Sequence, residues 1–308
     1  MEPREALLEA GMIASRVRQK AASLVDVGVL VIDICDGVER AIEEMGGKPA
    51  FPCNVDIDEV AAHYTSPHGD RTLVREGALV KVDIGVHIEG YIADTATTIC
   101  LNPSLQGMVE AAEDGLEAAI RTVRAGVRSS DIGSVIERAI KARGYKPIEN
   151  LTGHKMARYV VHVPGKSIPN SSNVPGKSIP NFSTTKSHVL QEGDVYAIEP
   201  FTTPMSASGC VRDGPVGHIY IYKKKARVGE VAKRMLKYIQ SEYRSLPFAS
   251  RWVVRRFPGQ EGAEAFQELV RAKCLYSYPQ LVESKKGPVA QAEHTVIVTG
   301  DGCVVTTA

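Results

Sequence analysis

Asp83, Asp94, His154, Glu199 and Glu293 are four carboxylates and one imidazole, each in a strand-like stretch and together spread over two thirds of the chain. An oxygen-rich donor set with a single ring nitrogen suits two hard divalent cations bridged by oxygens better than one structural zinc, which prefers thiolates and imidazoles in a closed tetrahedron. The chemistry such a set implies is metal-assisted hydrolysis at a two-metal site.

The elements that must position these groups begin with a hairpin. From Ala78 to Thr98 the residues alternate, with Val80, Val82, Ile84 and Val86 on one face and Lys81, Asp83, Gly85 and His87 on the other. A turn at Glu89-Gly90 sets Asp94 opposite Gly85 and on the same face as Asp83. Diagonal neighbours on such a face stand roughly 7 to 8 Å apart at the backbone, and converging carboxylates there can hold ions about 3.5 to 4 Å apart. For a single aspartate, a solvent-facing place on a hairpin is the commoner arrangement. Polar residues inside otherwise apolar strands nevertheless need partners, and a cation is one.

The other three candidates carry less by themselves. His154 follows Thr152-Gly153, and a lone histidine is more often a hydrogen-bonded structural residue. Glu199 ends the run DVYAIEP, sharing a strand face with Val195 and Ala197, and Pro200 limits continuation of the ladder. Glu293 is expected in mid-strand within VAQAEHTVIV, on the face of Gln291 and Thr295.

The wording of the segments goes further than their pattern. PAFPCNVDIDEVAAHYTS at 49–66, KVDIGVHIEGYIADTATT at 81–98, NLTGH at 150–154, SIPN, EGDVYAIEPF at 192–201 and QAEHTVIV at 291–298 closely resemble the type II methionine aminopeptidases, in order and over essentially the whole chain. The length is like that of the archaeal members. The resemblance implies the α+β pita-bread fold, with curved antiparallel sheets around a dinuclear metal site and helices outside. It places the metal ligands on Asp83, Asp94, His154, Glu199 and Glu293, binding two divalent ions from among Co, Mn, Fe and Zn. The implied reaction is hydrolysis after an N-terminal methionine of a newly made polypeptide, with a small second residue preferred. In that reading Asp94 and Glu293 bridge the ions and Glu199 carries the proton. His162 faces the scissile carbonyl, and His63 contacts substrate near a methionine pocket lined by Phe51, Phe201 and Tyr278. Ordinary core packing is an equal reading for the two phenylalanines.

Helical spacing at about 4–22, 30–45, 108–124 and 129–143 separates the strand groups, as a mixed core requires. Between 226 and 283 the pattern turns helical again, with a turn region around Trp252 to Gly262. Residues 1–225 and 284–308 are therefore expected to form the catalytic domain, and 226–283 the helical insert of type II enzymes. One departure from the family's pattern is VPGKSIPN, which occurs at 163–170 and again at 174–181. Such a tandem copy costs a loop little, about 0.6 kcal/mol per doubling of length, but it bears on the placement of His162. Ala292 is a second departure, standing where the family usually has an aromatic residue.

Composition excludes more than it assigns. With 308 residues, 44% of them hydrophobic, a sizeable core is within reach. A formal charge of +1 gives no global field for nucleic acid or membranes, and Lys223-Lys224-Lys225 reads as a solvated loop. No apolar run approaches the roughly 18 to 20 residues of a membrane span, and the start is helical rather than signal-like, so a cytoplasmic location is expected. The six cysteines lack paired spacing and read as free thiols. A monomer acting on nascent chains, with at most transient ribosome contact and no specific nucleic acid, completes the expectation. Two rivals differ in class: a prolidase-like Xaa-Pro peptidase, and a non-catalytic relative binding RNA or ribosomes. Retention of all five ligand positions favours the methionine-releasing enzyme.

Overall fold

The computed structural model describes residues 2–163 and 177–308. Two helix pairs each cover one sheet. Helix α1 (Pro3–Leu24) starts with proline in its first turn and a capping box between Glu2 and Glu5. With α2 (Val31–Glu44) it buries Ile13, Val17, Ile34 and Val38 against Val80, Val82, Ile84 and Val86. These four hairpin residues are the apolar face read from the alternation. The strand Leu79–Ile88 pairs antiparallel with Tyr91–Cys100 on one side, and with Asn54–Ile57 and Lys48–Pro49 on the other.

The second pair is α3 (Gln106–Thr122) and α4 (Ser129–Ala142). Ala112, Leu116 and Ala119 face Ile132, Ile136 and Ile140, the three- and four-residue spacing that puts side chains on one helical stripe. Beneath them lies a five-stranded antiparallel sheet in the order Cys303–Val305, His294–Val298, Val195–Ile198, Thr152–Lys155, Ser178–Pro180. All four helices fall within two residues of the limits expected from spacing. A small sheet of Tyr145–Pro147, Phe201–Pro204 and Ala290–Gln291 bridges toward the hairpin.

The long strands Val211–Tyr222 and Leu275–Glu283 pair with each other and carry between them α5 (Glu230–Glu242), α6 (Ser250–Arg256) and α7 (Gly259–Arg271). Met235, Ile239, Phe248, Val253, Phe266 and Leu269 form an apolar cluster of their own. The region around Trp252 to Gly262, expected as a turn, is largely helical: α6 runs to Arg256 and α7 starts at Gly259. Pro258 explains the break, because it biases its predecessor away from helix and then serves as the residue before the first turn of α7.

Helix α6 is pinned to the rest of the chain through Arg251, whose side chain is fully buried. Its guanidinium pairs with Glu39 of α2, and donates to Thr65 Oγ1 at 2.6 Å and Ser66 O at 3.0 Å. Glu39 also accepts from Trp252 Nε1 at 2.7 Å and from the Cys53 amide at 3.0 Å. The carboxylate is thereby shared between α2, the segment before the hairpin, and α6. Removing one partner of a buried pair strands the other's charge. Arg251→Ala is therefore expected to cost about 3–5 kcal/mol of unfolding free energy, read from urea denaturation, whereas Arg256→Ala on the exposed side of the same helix should stay close to wild type.

Candidate metal centre

The hairpin pairs in the register that its turn demands. Glu89 and Gly90 have φ of 50° and 90°, the left-handed pair of a two-residue turn, and Gly85 lies opposite Asp94. Asp83 and Asp94 therefore share a face and lie close enough for each to perturb the other's proton affinity. Gly85 is required between them: a Cβ there would stand 2.2 Å from Phe51 Cε1, so the ring rests directly on the strand backbone.

Glu199 and Glu293 occupy matching interruptions. Ile198 pairs with His294 and Phe201 with Gln291, so Glu199-Pro200 faces Ala292-Glu293 across a gap where the chain passes from one sheet to the next. Glu293 is thus not in mid-strand as the alternation implied; it sits at a break. The cause is a switch of partner. The Ala292 amide donates to Pro200 O at 3.2 Å and the Glu293 amide to Ala96 O at 3.2 Å, which ties the break to the hairpin strand. Pro200, with no amide hydrogen, supports the interruption on the facing strand.

Three of the five side chains converge, with Glu199 against His154 and Asp83 beside Asp94. Donor atoms of Asp94, His154 and Glu293 lie within 4.8 Å of one another. His154 Nε2 stands 3.6 Å from Asp94 Oδ2 and 3.3 Å from Glu199 Oε1. Asp94, Glu293 and His154 are buried, and Asp83 and Glu199 partly so. Burial first, then mutual repulsion, pushes the proton affinities of Asp94, Glu199 and Glu293 well above the carboxylate range, and burial raises Asp83 to about 7. Burial drives His154 well below the ordinary imidazole value, leaving a neutral ring with a lone pair to offer. Among the described residues, Asp83 Oδ1 and Asp94 Oδ1 are buried without a hydrogen-bond partner. Unpaired buried carboxylate oxygens facing a neutral imidazole are what a divalent cation satisfies, so the donor set fits one.

The two further histidines border this cluster. The His154 and His162 ring centroids are 4.0 Å apart. His162 stands deep in the protein yet keeps an open face to solvent, and desolvation followed by the nearby His63 lowers its pKa to about 4. His63 has a φ of 72°, an uncommon conformation outside glycine, and its Nδ1 lies 3.2 Å from Pro279 O. A carbonyl only accepts, so Nδ1 carries the proton and Nε2 is left as an acceptor. Tyr278 lies edge-on to His63 at 5.6 Å between ring centroids. Phe51 packs with Ile92, Met156, Val161 and Leu246 beside the hairpin. Phe201 is in a separate cluster with Ala61, Ile148 and Val289, fully enclosed, so the structure does not bring the two phenylalanines into one apolar patch.

Several supporting residues escaped the sequence reading. Asn54 Nδ2 donates to Asp83 Oδ2 at 3.4 Å, and Gln291 Nε2 to Glu293 Oε2 at 3.3 Å. Thr95 Oγ1 donates to Glu293 O at 2.8 Å. Thr295 Oγ1 donates to Asp94 O and accepts from the Asp94 amide, both at 2.8 Å. The signal for these was a polar residue inside a strand segment beside a ligand, present in NVDI, ADTATT and QAEHT. Ala292 packs in the cluster beneath α3 and α4.

Of the two VPGKSIPN copies, the first beyond Val163 and the start of the second lie outside the described residues. Ser178–Pro180 of the second copy pairs with Thr152–His154. Asn181 Nδ2 then donates to Leu151 O at 2.9 Å and Glu199 O at 3.1 Å, so this copy holds the strand that carries His154 and the end of the strand that leads to Glu199.

With this geometry in hand, comparison with known proteins is specific. Residues 5–300 match the model of metallopeptidase family M24. The chain is 45% identical over 308 residues to the methionine aminopeptidase of Thermococcus kodakarensis, covering 100% of both chains. It is 45% identical over 302 residues to that of Pyrococcus horikoshii, covering 98% of each. Among solved structures, a thermophilic Arx1 superposes with a TM-score of 0.78 at 18% identity over 99% of this chain and 90% of that one. The methionine aminopeptidase of Rickettsia prowazekii superposes at 0.67 with 18% identity over 100% of this chain and 97% of that one. Both show the same pita-bread fold.

The raised carboxylate affinities have a thermodynamic sign. An acid whose folded pKa exceeds its unfolded value favours folding while protonated and loses that contribution as pH rises through the folded value. For Asp83 the window runs from the ordinary aspartate value up through about 7. Cations favour the ionised forms and reverse the trend. The melting temperature of metal-free protein should therefore fall relative to that of manganese-loaded protein as pH is raised from 5 to 8; calorimetry showing a gap that does not widen would contradict this electrostatic account.

Proposed function

The chain belongs to metallopeptidase family M24, and we propose from its site that it hydrolytically removes the N-terminal methionine of polypeptides, with a small second residue preferred. The observation that carries this reading is the buried meeting of Asp94, His154 and Glu293, with Glu199 3.3 Å from His154 and unpaired oxygens on Asp83 and Asp94, in a chain 45% identical over its full length to a methionine aminopeptidase. We infer that these five side chains hold two divalent cations, from among Co, Mn, Fe and Zn. Bound there, such ions supply Lewis acidity, polarising a carbonyl oxygen and lowering the pKa of water toward neutrality.

The chain's own groups do the rest. Glu199 carries the proton, taking it as a carboxylate from the attacking water and returning it to the leaving amine. His162 is neutral at that pH and has one N–H to direct at the scissile carbonyl oxygen as negative charge develops on it. His63 presents Nε2 as an acceptor, matched to a substrate N–H near the methionine side chain. Phe51 and Tyr278 are the proposed apolar walls, Tyr278 in contact with His63 and Phe51 resting on the hairpin beside Asp94, while Phe201 belongs to the enclosed cluster with Ala61, Ile148 and Val289. A free amine at the chain terminus completes recognition, which makes the activity that of an exopeptidase.

We further propose that 226–283 is an insert in the catalytic domain, a division supported by its separate apolar cluster. The protein is taken to work as a cytoplasmic monomer on nascent chains, with ribosome contact transient. No helix of the described residues is long and apolar enough to cross a membrane.

Free methionine should be released from Met-Ala-Ser by metal-reconstituted protein and not after chelation, while a Xaa-Pro dipeptide should remain intact. Glu199→Ala should lower kcat by at least 100-fold, within the range for proton transfer by a positioned side chain. Metal content must be measured beside it: full activity in a loaded mutant would remove Glu199 from proton carriage, and intact Met-Ala-Ser with loaded wild type would sink the function.

A further inference from the structure

Arg18 reaches the metal centre from outside it. The residue lies in α1, far from every ligand in sequence, and its Nη1 donates to Thr95 Oγ1 at 2.7 Å and to His294 Nδ1 at 2.9 Å. Thr95 directly follows Asp94, and His294 directly follows Glu293. One nitrogen with two hydrogens therefore joins the hairpin strand and the strand of the last ligand, one residue behind each of two carboxylates. Guanidinium has no acceptor, so toward Arg18 His294 Nδ1 accepts, as the Nε2–H tautomer, with Thr307 Oγ1 also 2.8 Å from that nitrogen. Thr95, accepting from Arg18, spends its own hydrogen on Glu293 O at 2.8 Å. The bonds run in one direction from Arg18 to the backbone of Glu293.

Across this junction the two strands are joined by separate bonds, mostly from threonine hydroxyls, rather than by a ladder. The hairpin strand Tyr91–Cys100 ladders with Leu79–Ile88, and His294–Val298 ladders with Val195–Ile198 and Cys303–Val305, so regular pairing leaves Asp94 and Glu293 on different sheets. Their separation is set by the Glu293 amide on Ala96 O, by the Thr95 and Thr295 hydroxyls, by Thr98, whose hydroxyl donates to Gln291 O at 2.6 Å and accepts from the Gln291 amide at 2.9 Å, and by Arg18, which alone among these reaches both strands from a third element.

We propose that Arg18 is a positioning residue that fixes the spacing of Asp94 and Glu293, and through it the capacity of the site for its second cation. The inference rests on the two-cation reading above. Charge and geometry predict opposite signs, which makes the idea sharp. A guanidinium repels dications, so loss of its charge by itself should tighten their binding; loss of a group that orients ligands should weaken it.

The test is calorimetric titration of metal-free protein with Mn(II), which counts ions and reads affinities without substrate. Arg18→Met should leave the first ion close to wild-type affinity and weaken the second about 10- to 100-fold, the usual effect of removing a group that orients ligands. That loss should persist at both pH 7 and pH 8.5, where proton competition differs. Arg18→Lys, which keeps donors on a single nitrogen, should recover most of it. The exposed neighbour variant Arg16→Met should bind and melt like wild type. If Arg18→Met does not fold, Thr95→Val carries the test, since it removes one acceptor of the same link and keeps the shape; it should show the same selective loss. Tighter or unchanged binding of the second ion in the folded variants, or a loss that vanishes at pH 8.5, overturns the proposal. Failure of loaded wild type to cleave Met-Ala-Ser would instead overturn the reaction and leave the calorimetric comparison standing.

Discussion

Four acids that cannot all be ionised together in the absence of counter-charge are the constraint around which this chain is built. Two like charges about 4 Å apart repel by about 4 kcal/mol at the effective dielectric of a protein interior near its surface, and Asp94, Glu199 and Glu293 each feel at least one such neighbour as well as burial. A fold that tolerates this must supply rigidity from elsewhere. It does so by assigning the acids to different elements, each held by its own ladder. Asp83 and Asp94 belong to a hairpin backed by α1 and α2. Glu199 and Glu293 belong to the sheet backed by α3 and α4, and leave it at facing gaps.

The polar residues around the acids follow from the same constraint. Asn54 and Gln291 each hold one carboxylate oxygen, leaving others pointed inward. Thr95 and Thr295 spend their hydroxyls on backbone rather than on ligands, so they fix where the strands lie without neutralising any charge. Arg251 and Glu39 show the contrasting case of a buried charge that finds its partner within the protein.

Most of the architecture was legible in the sequence because its causes are local. The alternation of Val80 to Val86 and the Glu89-Gly90 turn determine the hairpin register, and with it the common face of Asp83 and Asp94. The spacing of isoleucines in α4 determines its buried stripe. What escaped was of long range. The break at Glu293 arises because the strand exchanges partners between Gln291 and His294, and periodicity along one chain carries no record of which strand lies opposite. Trp252 read as part of a turn because seven residues make too short a helical pattern, while its stability comes from Glu39, more than 200 positions earlier. Ligand identity came from the wording of whole segments, not from alternation, since Glu199 and Glu293 sit where both ladders lapse.

The buried anchor at Arg251 bears on how far the segment around it can move. Leu246 and Tyr278, both from the stretch between Val211–Tyr222 and the end of its partner strand, stand against Phe51 and His63 respectively, so this segment packs beside the metal centre. Fastened to α2 and to the strand approach at Cys53 by a guanidinium with no exposed surface, it has no cheap way to swing. Such a segment stands as a fixed wall rather than a hinged one, its place beside Phe51 and His63 set by a buried charge pair.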